Sequence, residues 1–156
     1  MNLPERLVID ASVVAKWFLK DARESDVDLA SDILLGCLAD EVELHAPQIL
    51  PYEVCGILAR ACGQVKGNPP RLEKTQAVEF AKAFFQIPIQ ISAAIEDECI
   101  AAVEMAVDYA KGSYDMTYIR FAETLNCQWC TADEQIIRTV PSSFPLHRVL
   151  LLSTLR

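Results

Sequence analysis

Leu7-Val8-Ile9-Asp10-Ala11-Ser12-Val13-Val14-Ala15-Lys16-Trp17-Phe18-Leu19 is the stretch on which the fold turns. Three apolar residues that stop at an acid read as a short strand, and Val13, Val14, Trp17 and Phe18 then recur at helical spacing. Strand, turn and helix in that order open a βα unit, and Asp10 stands on the turn. Working outward, residues 26–38 carry a helical stripe of Leu29, Ile33, Leu34, Cys37 and Leu38, and residues 43–46 form a short strand halted by Pro47. A third helix covers 49–62, with Pro51 tolerated because it falls near the start. The loop 63–70 ends in Asn68-Pro69-Pro70, after which 72–85 is helical, 87–91 alternates as a strand, and 96–109 is a helix with acids in its first turn. Residues 114–125 place Tyr114, Tyr118, Phe121, Ala122 and Leu125 on one helical face. They lead to a strand at 128–131, a short helix at 133–138 and a last strand at 149–152.

Strands alternating with helices predict an α/β protein: a mostly parallel central sheet of about five short strands, flanked by helices in three layers. With no repeat, no low-complexity tract and no long linker, residues 1–156 are expected to form a single domain. Such a length buries roughly 70% of the surface of the unfolded chain, so no disulfide or structural metal is required to hold the core. The chain is 52% hydrophobic, which excludes disorder, and no apolar run approaches the length of a membrane span. The opening Met1-Asn2-Leu3-Pro4-Glu5-Arg6 lacks the regions of a signal peptide, which leads to an expected cytoplasmic location.

The 14 Lys and Arg against 22 Asp and Glu give a net charge of −8, a balance that by itself argues against nucleic acid as a partner. The charge is uneven, however: residues 24–43 are strongly acidic, while 60–74 carry Arg60, Lys66, Arg71 and Lys74 against Glu73 alone. Of the six cysteines, Cys37, Cys55, Cys62, Cys99, Cys127 and Cys130, only the last two have a metal-like spacing. They fall on a strand, where residues three apart face opposite ways, so all six read as small reduced hydrophobes.

Parallel sheets bind ligands beyond the carboxyl ends of their strands. Asp10 follows the first strand directly and Asp133 follows the strand 128–131, while Glu53 and Asp115 open helices beside them. Asp115 and Asp133 have plain alternative roles as a first-turn acid and an N-cap. Glu53 is flanked by Ile49, Leu50, Val54, Ile57 and Leu58 and needs a partner or a task. Should the four converge, they must take up protons or share a cation, and oxygen-only ligands select Mg²⁺ or Mn²⁺ over zinc.

In Val8–Leu19, in Ala46-Pro47-Gln48-Ile49-Leu50-Pro51-Tyr52-Glu53-Val54, and in Ser113-Tyr114-Asp115-Met116-Thr117-Tyr118 leading to Thr131-Ala132-Asp133, the chain resembles the PIN-domain ribonucleases, in particular the VapC-type toxins of prokaryotic toxin-antitoxin modules. The family's acidic quartet falls on Asp10, Glu53, Asp115 and Asp133, and its supporting hydroxyls on Ser12 and Thr131. The resemblance implies a PIN-like fold and a Mg²⁺- or Mn²⁺-dependent endoribonuclease that hydrolyses RNA phosphodiesters as the toxin of a type II pair. It also implies metal ligation led by Asp10 and Asp115 and completed by Glu53 and Asp133, with a homodimer and a small antitoxin protein as partners. The chain departs from the family's common pattern at Met116, Gly56 and Arg120. The alternatives are a non-catalytic PIN-like binding or regulatory module, and an aspartyl phosphotransferase built on Asp10. The last lacks the second acid two residues on that such chemistry needs. Lys16, Arg60 and Arg120 are candidates for phosphate contact, though basic residues on helices are expected mostly to face water.

Overall fold

The computed structural model describes residues 3–64 and 67–155; Lys66, one of the basic residues noted above, lies outside them, as do Met1 and Asn2 of the amino-terminal stretch. Five strands form one sheet: β1 (Arg6–Ile9), β2 (Glu43–Pro47), β3 (Ile89–Ser92), β4 (Gln128–Thr131) and β5 (Val149–Leu151). Six helices connect them: α1 (Ala11–Phe18), α2 (Val27–Leu38), α3 (Leu50–Ala61), α4 (Lys74–Phe84), α5 (Glu96–Tyr109) and α6 (Ser113–Thr124). The strand order is β3-β2-β1-β4-β5, and every pairing is parallel.

This order follows from the connections. Each crossover is right-handed when a helix packs back onto a right-twisted sheet. The chain steps from β1 to β2 to β3 in one direction, so α1 to α4 gather on one face. It then returns across the sheet through α5 and α6, which cover the other, and moves outward to β5. The contacts agree, since α1 packs on α2 and α3, α3 on α4, and α5 on α6. The direction of travel reverses between β1 and β4, which pair with Val8 opposite Trp129 and Ile9 opposite Cys130. At such a reversal the flanking loops separate and leave a crevice at the carboxyl ends of the strands.

The core explains why the central strands are nearly continuous apolar runs. Leu7, Val8 and Ile9 are wholly buried, as are Trp129 and Cys130 on the neighbouring strand, because helices cover both faces. Trp129 stacks on Tyr118 of α6 with ring centroids 5.8 Å apart, and Trp17 of α1 donates to Ala30 O of α2 at 2.8 Å. Each aromatic thus ties a helix to its neighbour with a directed contact besides its buried area.

Two boundaries differ from the sequence reading for local reasons. β3 begins at Ile89 rather than residue 87, because Pro88 has no N–H for the ladder and Ile89 N turns back to Ile87 O at 2.8 Å. α4 begins at Lys74 rather than 72, where Gln76 Oε1 accepts from Glu73 N at 2.9 Å in a capping box. The short helix expected at 133–138 is a single tight turn, Glu134–Ile137. No helix among the described residues is long and apolar enough to cross a membrane.

Candidate active site

β1 delivers Asp10 to the mouth of the crevice, and its neighbours hold it there. Asp10 N donates to Cys130 O at 3.0 Å, extending the β1–β4 ladder by one bond. Its carboxylate caps α1, accepting from Ser12 N at 3.3 Å, and also receives the Ser12 hydroxyl and, at 2.9 Å, the Thr131 hydroxyl. The two hydroxyls are linked onward: Ala132 N donates to Ser12 Oγ at 2.9 Å and Asp133 N to Thr131 Oγ1 at 3.1 Å. A small network of neutral donors therefore binds the ends of β1 and β4 together around one acid.

Asp10, Glu53, Asp115 and Asp133 line a single open depression of about 530 Å³, with Ser12, Gly56, Arg60, Tyr52 and Tyr114 among its other walls. Glu53 enters from the first turn of α3 and Asp115 from the first turn of α6, so both sit where the helix N-terminus favours negative charge. Asp133 caps the turn after β4, its Oδ1 accepting from Gln135 N at 2.8 Å. The capping and first-turn roles anticipated for Asp133 and Asp115 are thus real, and they coexist with a shared location. Thr131 is buried beneath the group.

The electrostatics are those of carboxylates crowded together with no cation bonded to them among the described residues. Burial raises the Asp10 carboxyl above the usual range, opposed by its bonds from Ser12 and Thr131. Burial also raises Glu53, against the Tyr118 hydrogen bond, while Asp10 and Asp115 repel its charge. Asp115 is pushed up to about 6 by burial and then by Asp10 and Asp133, with Lys111 acting in the other direction. Cys130 lies under the site as a buried thiol pushed up to about 12, chiefly by burial, and offers no thiolate.

Three further residues shape the site: Tyr118 and Gly112, whose roles spacing does not reveal, and Arg60, already a candidate for phosphate contact. Tyr118, wholly buried in α6, donates to Glu53 Oε2 at 2.6 Å and is the partner that Glu53 needed. Its position on the inward helical face was legible, but its target is 65 residues away. Gly112 precedes α6, and a Cβ there would stand 3.0 Å from Asp115 Oδ2, so a side chain would displace that carboxylate. Arg60 is exposed at the rim; its charge lowers the Glu53 carboxyl, and its guanidinium makes no hydrogen bond or ion pair among the described residues.

The other basic candidates lie elsewhere. Lys16, expected at a solvated helix flank, is buried and paired with Glu24 at 3.0 Å, because α1 is covered on that side by the loop before α2. Arg120 pairs with Glu98 at 3.0 Å and Glu123 at 3.4 Å. Of the departures noted above, Met116 is fully buried packing and Gly56 forms part of the wall of the acidic depression. A larger hollow of about 880 Å³ lies at the amino ends of the strands, with Arg6, Glu43, Gln128 and Arg148 in its lining. Arg6 there is spent on Glu43 at 3.1 Å.

The donor set suits a hard divalent cation: four carboxylates, two hydroxyls and no available His or thiolate. Among the described residues no three acidic, His or Cys side chains stand close enough to form a ready-made cage. An ion here would keep much of its water, as Mg²⁺ commonly does.

Comparison with known proteins places this geometry. The chain is similar in fold to Mycobacterium tuberculosis VapC20, a toxin that cleaves the sarcin-ricin loop, with a TM-score of 0.58 at 15% identity over 81% of this chain and 87% of that one. Among curated proteins nothing matches. The PIN domain model matches residues 7–140, a span that begins in β1 before Asp10 and runs past Asp133. With that span containing the whole acidic depression, the chain belongs to the PIN domain family.

Proposed function

We propose that this chain is a divalent-metal-dependent endoribonuclease and the toxin of a type II toxin-antitoxin pair. The observation that carries the reading is the convergence of Asp10, Glu53, Asp115 and Asp133 in one depression, with Asp10, Glu53 and Asp115 raised by burial and the last two also by repulsion from neighbouring carboxylates. A cluster of this kind is electrostatically unsatisfied alone and is relieved by a cation. Membership of the PIN family and likeness in fold to a toxin that cleaves the sarcin-ricin loop support the same reading.

In this proposal Asp10 and Asp115 are the principal ligands of Mg²⁺ or Mn²⁺, and Glu53 and Asp133 complete the site directly or through water. The ion, when bound, supplies charge stabilisation and activates water for in-line attack on the phosphodiester. Ser12 and Thr131 hold Asp10 in orientation by donating to its Oδ2. Tyr118 fixes Glu53 in the same way from below. Arg60, the rim cation with no protein partner, meets a phosphate of the incoming strand and offsets the repulsion between RNA and a chain of net charge −8. A cytoplasmic location, a homodimer and a small antitoxin protein complete the proposal.

The test is cleavage of labelled total RNA by the purified, antitoxin-free chain in Mg²⁺, Mn²⁺ or EDTA, beside Asp10→Asn and Asp115→Asn. Divalent-dependent cutting that both variants lose is expected. Cutting that survives in EDTA, or that matches the parent's in both variants, would overturn the assignment.

A further inference from the structure

A second cavity adjoins the acidic depression and differs from it in character. It measures about 330 Å³, within the range of small-ligand sites, and lies between the start of α3, the loop after β3 and the faces of α5 and α6. Ile49, Tyr52 and Tyr114 line both hollows, so the two are continuous. Tyr52 is 76% exposed and Tyr114 is 62% exposed, two aromatic rings at the shared lip whose hydroxyls make no hydrogen bond among the described residues. Beyond them the wall is apolar, with Phe121 and Ile95 contributing.

Two polar side chains in this wall are set by the fold. Glu98 brings a negative charge, but Arg120 Nε at 3.0 Å and Thr124 Oγ1 at 3.0 Å occupy its two oxygens. Gln48 accepts from Ala94 N at 3.0 Å through Oε1, so its amide is oriented by a backbone donor and its NH₂ remains to donate.

We propose that this cavity receives the unpaired nucleobase next to the bond that is cut. The proposal rests on the ribonuclease reading and adds the feature of RNA that the acidic depression does not address. Exposed aromatic rings beside a phosphodiester site match the way single-stranded RNA is held, through stacking on splayed bases and hydrogen bonds to their edges. Tyr52 and Tyr114 are the stacking surfaces. The Gln48 NH₂ reads a projecting carbonyl oxygen, which uracil, cytosine and guanine carry. Adenine offers ring nitrogens only, of which N1 and N7 stand beside its own N6 amine donor and bring it against the Gln48 NH₂. Adenine is therefore the disfavoured base at this position.

Binding of fluorescein-labelled U₈, A₈ and an abasic octamer in Mg²⁺ tests this, with the Asp115→Asn chain used so that the strands stay intact. U₈ is expected to bind about tenfold more tightly than the abasic strand, and several-fold more tightly than A₈. Tyr52→Ala and Tyr114→Ala should each lose about tenfold for U₈ and leave the abasic strand unaffected, while Tyr52→Phe keeps its affinity. Gln48→Glu replaces the donor with an acceptor and should erase or invert the preference for U₈ over A₈. Parent-like U₈ affinity in both folded alanine variants would overturn the proposal. So would a shift of those variants in sedimentation with RNA affinity unchanged, which would assign the rings to a second copy of the chain. Cleavage of total RNA by the Asp115-containing chain, run in parallel, separates the two readings. If RNA is cut but the tyrosine variants cut it equally, the base site falls alone; if RNA is neither cut nor bound, the ribonuclease reading falls with it.

Discussion

Two groups of acids flank helix α1, and they live under opposite electrostatic terms. Beyond its carboxyl end, Glu24 accepts from Lys16 Nζ at 3.0 Å and Arg71 Nη1 at 2.7 Å, and Asp21 takes the Arg71 guanidinium in two bonds of 2.8 and 2.9 Å. At its amino end, Asp10 has only hydroxyl and backbone donors, and three further acids, Glu53, Asp115 and Asp133, share its depression with Arg60 at the rim. The carboxyls respond accordingly. Glu24 is held below its ordinary range although burial opposes this, because Lys16 and Arg71 favour the charged form. Asp10, Glu53 and Asp115 are held above it. The first group is complete and joins α1 to the segments before α2 and α4. The second has acids in excess and no cation bonded to them among the described residues, which is the condition in which a protein binds a cation.

The comparison breaks if exchanging charge at the two places has the same consequence. The largest effect is expected in the cleft: Asp10→Asn or Asp115→Asn should lower RNA cleavage by about a hundredfold or more, read on a labelled substrate in Mg²⁺. The same changes should leave the metal-free fold at least as stable as the parent, measured by thermal melting. In the clasp the order inverts. Lys16→Met strands a half-buried Glu24 with one remaining cation and should cost about 3 kcal/mol in urea unfolding, with little effect on cleavage per folded molecule. A smaller effect follows from Tyr118→Phe, which removes the donor to Glu53 and raises that carboxyl further. Cleavage should fall about tenfold, since hydrogen bonds to charged groups contribute about 1.5–3 kcal/mol and the cleft leaves water to compensate in part.

Titration sharpens the contrast with the smallest signal. Asp115 takes up its proton more readily when folded than when unfolded, so its ionisation destabilises the metal-free fold. Stability contributed by the protonated form is lost as pH rises from near 3.8 through about 6 and is level above that. Asp21 and Glu24 act in the reverse sense: their contribution is present above the unfolded carboxylate range and is lost as pH falls below it. Melting temperature followed from pH 7 to pH 4 without metal should therefore rise less in Asp115→Asn than in the parent. Equal profiles would mean that burial and the neighbouring carboxylates do not raise Asp115 in the fold. Added Mg²⁺ should flatten the parent curve, because a bound cation takes the place of the proton.

Much of this was legible from residue order because local physics decided it. The bounds of α5 and β4 match the sequence reading, where acids mark the first turn of the helix and a compact apolar stretch marks the strand. Asp10 and Asp133 are legible as the carboxylates that follow strands of a parallel sheet, and Glu53 and Asp115 as acids that open helices beside them. What could not be read were partners brought together by topology. Lys16 looks like a solvated helix residue until the loop carrying Glu24 folds over it. Tyr118 looks like ordinary packing until α6 crosses the sheet and meets Glu53 on α3. The cavity beside the cleft draws its walls from α3, the loop after β3, α5 and α6, and no single segment carries its signature.

The bond from Thr131 to Asp10 joins residues 121 positions apart and closes the network that holds the cleft. On the proposed activity this distance has a consequence during synthesis. A nascent chain that has exposed only its first hundred residues carries Asp10 and Glu53 but has neither α6 nor β4 to complete the site. A chain stopped before α6 and β4 lacks Asp115, Thr131 and Asp133 and cannot assemble the proposed centre. On the proposed activity, cleavage of RNA begins only after the message that encodes the chain has been almost fully read.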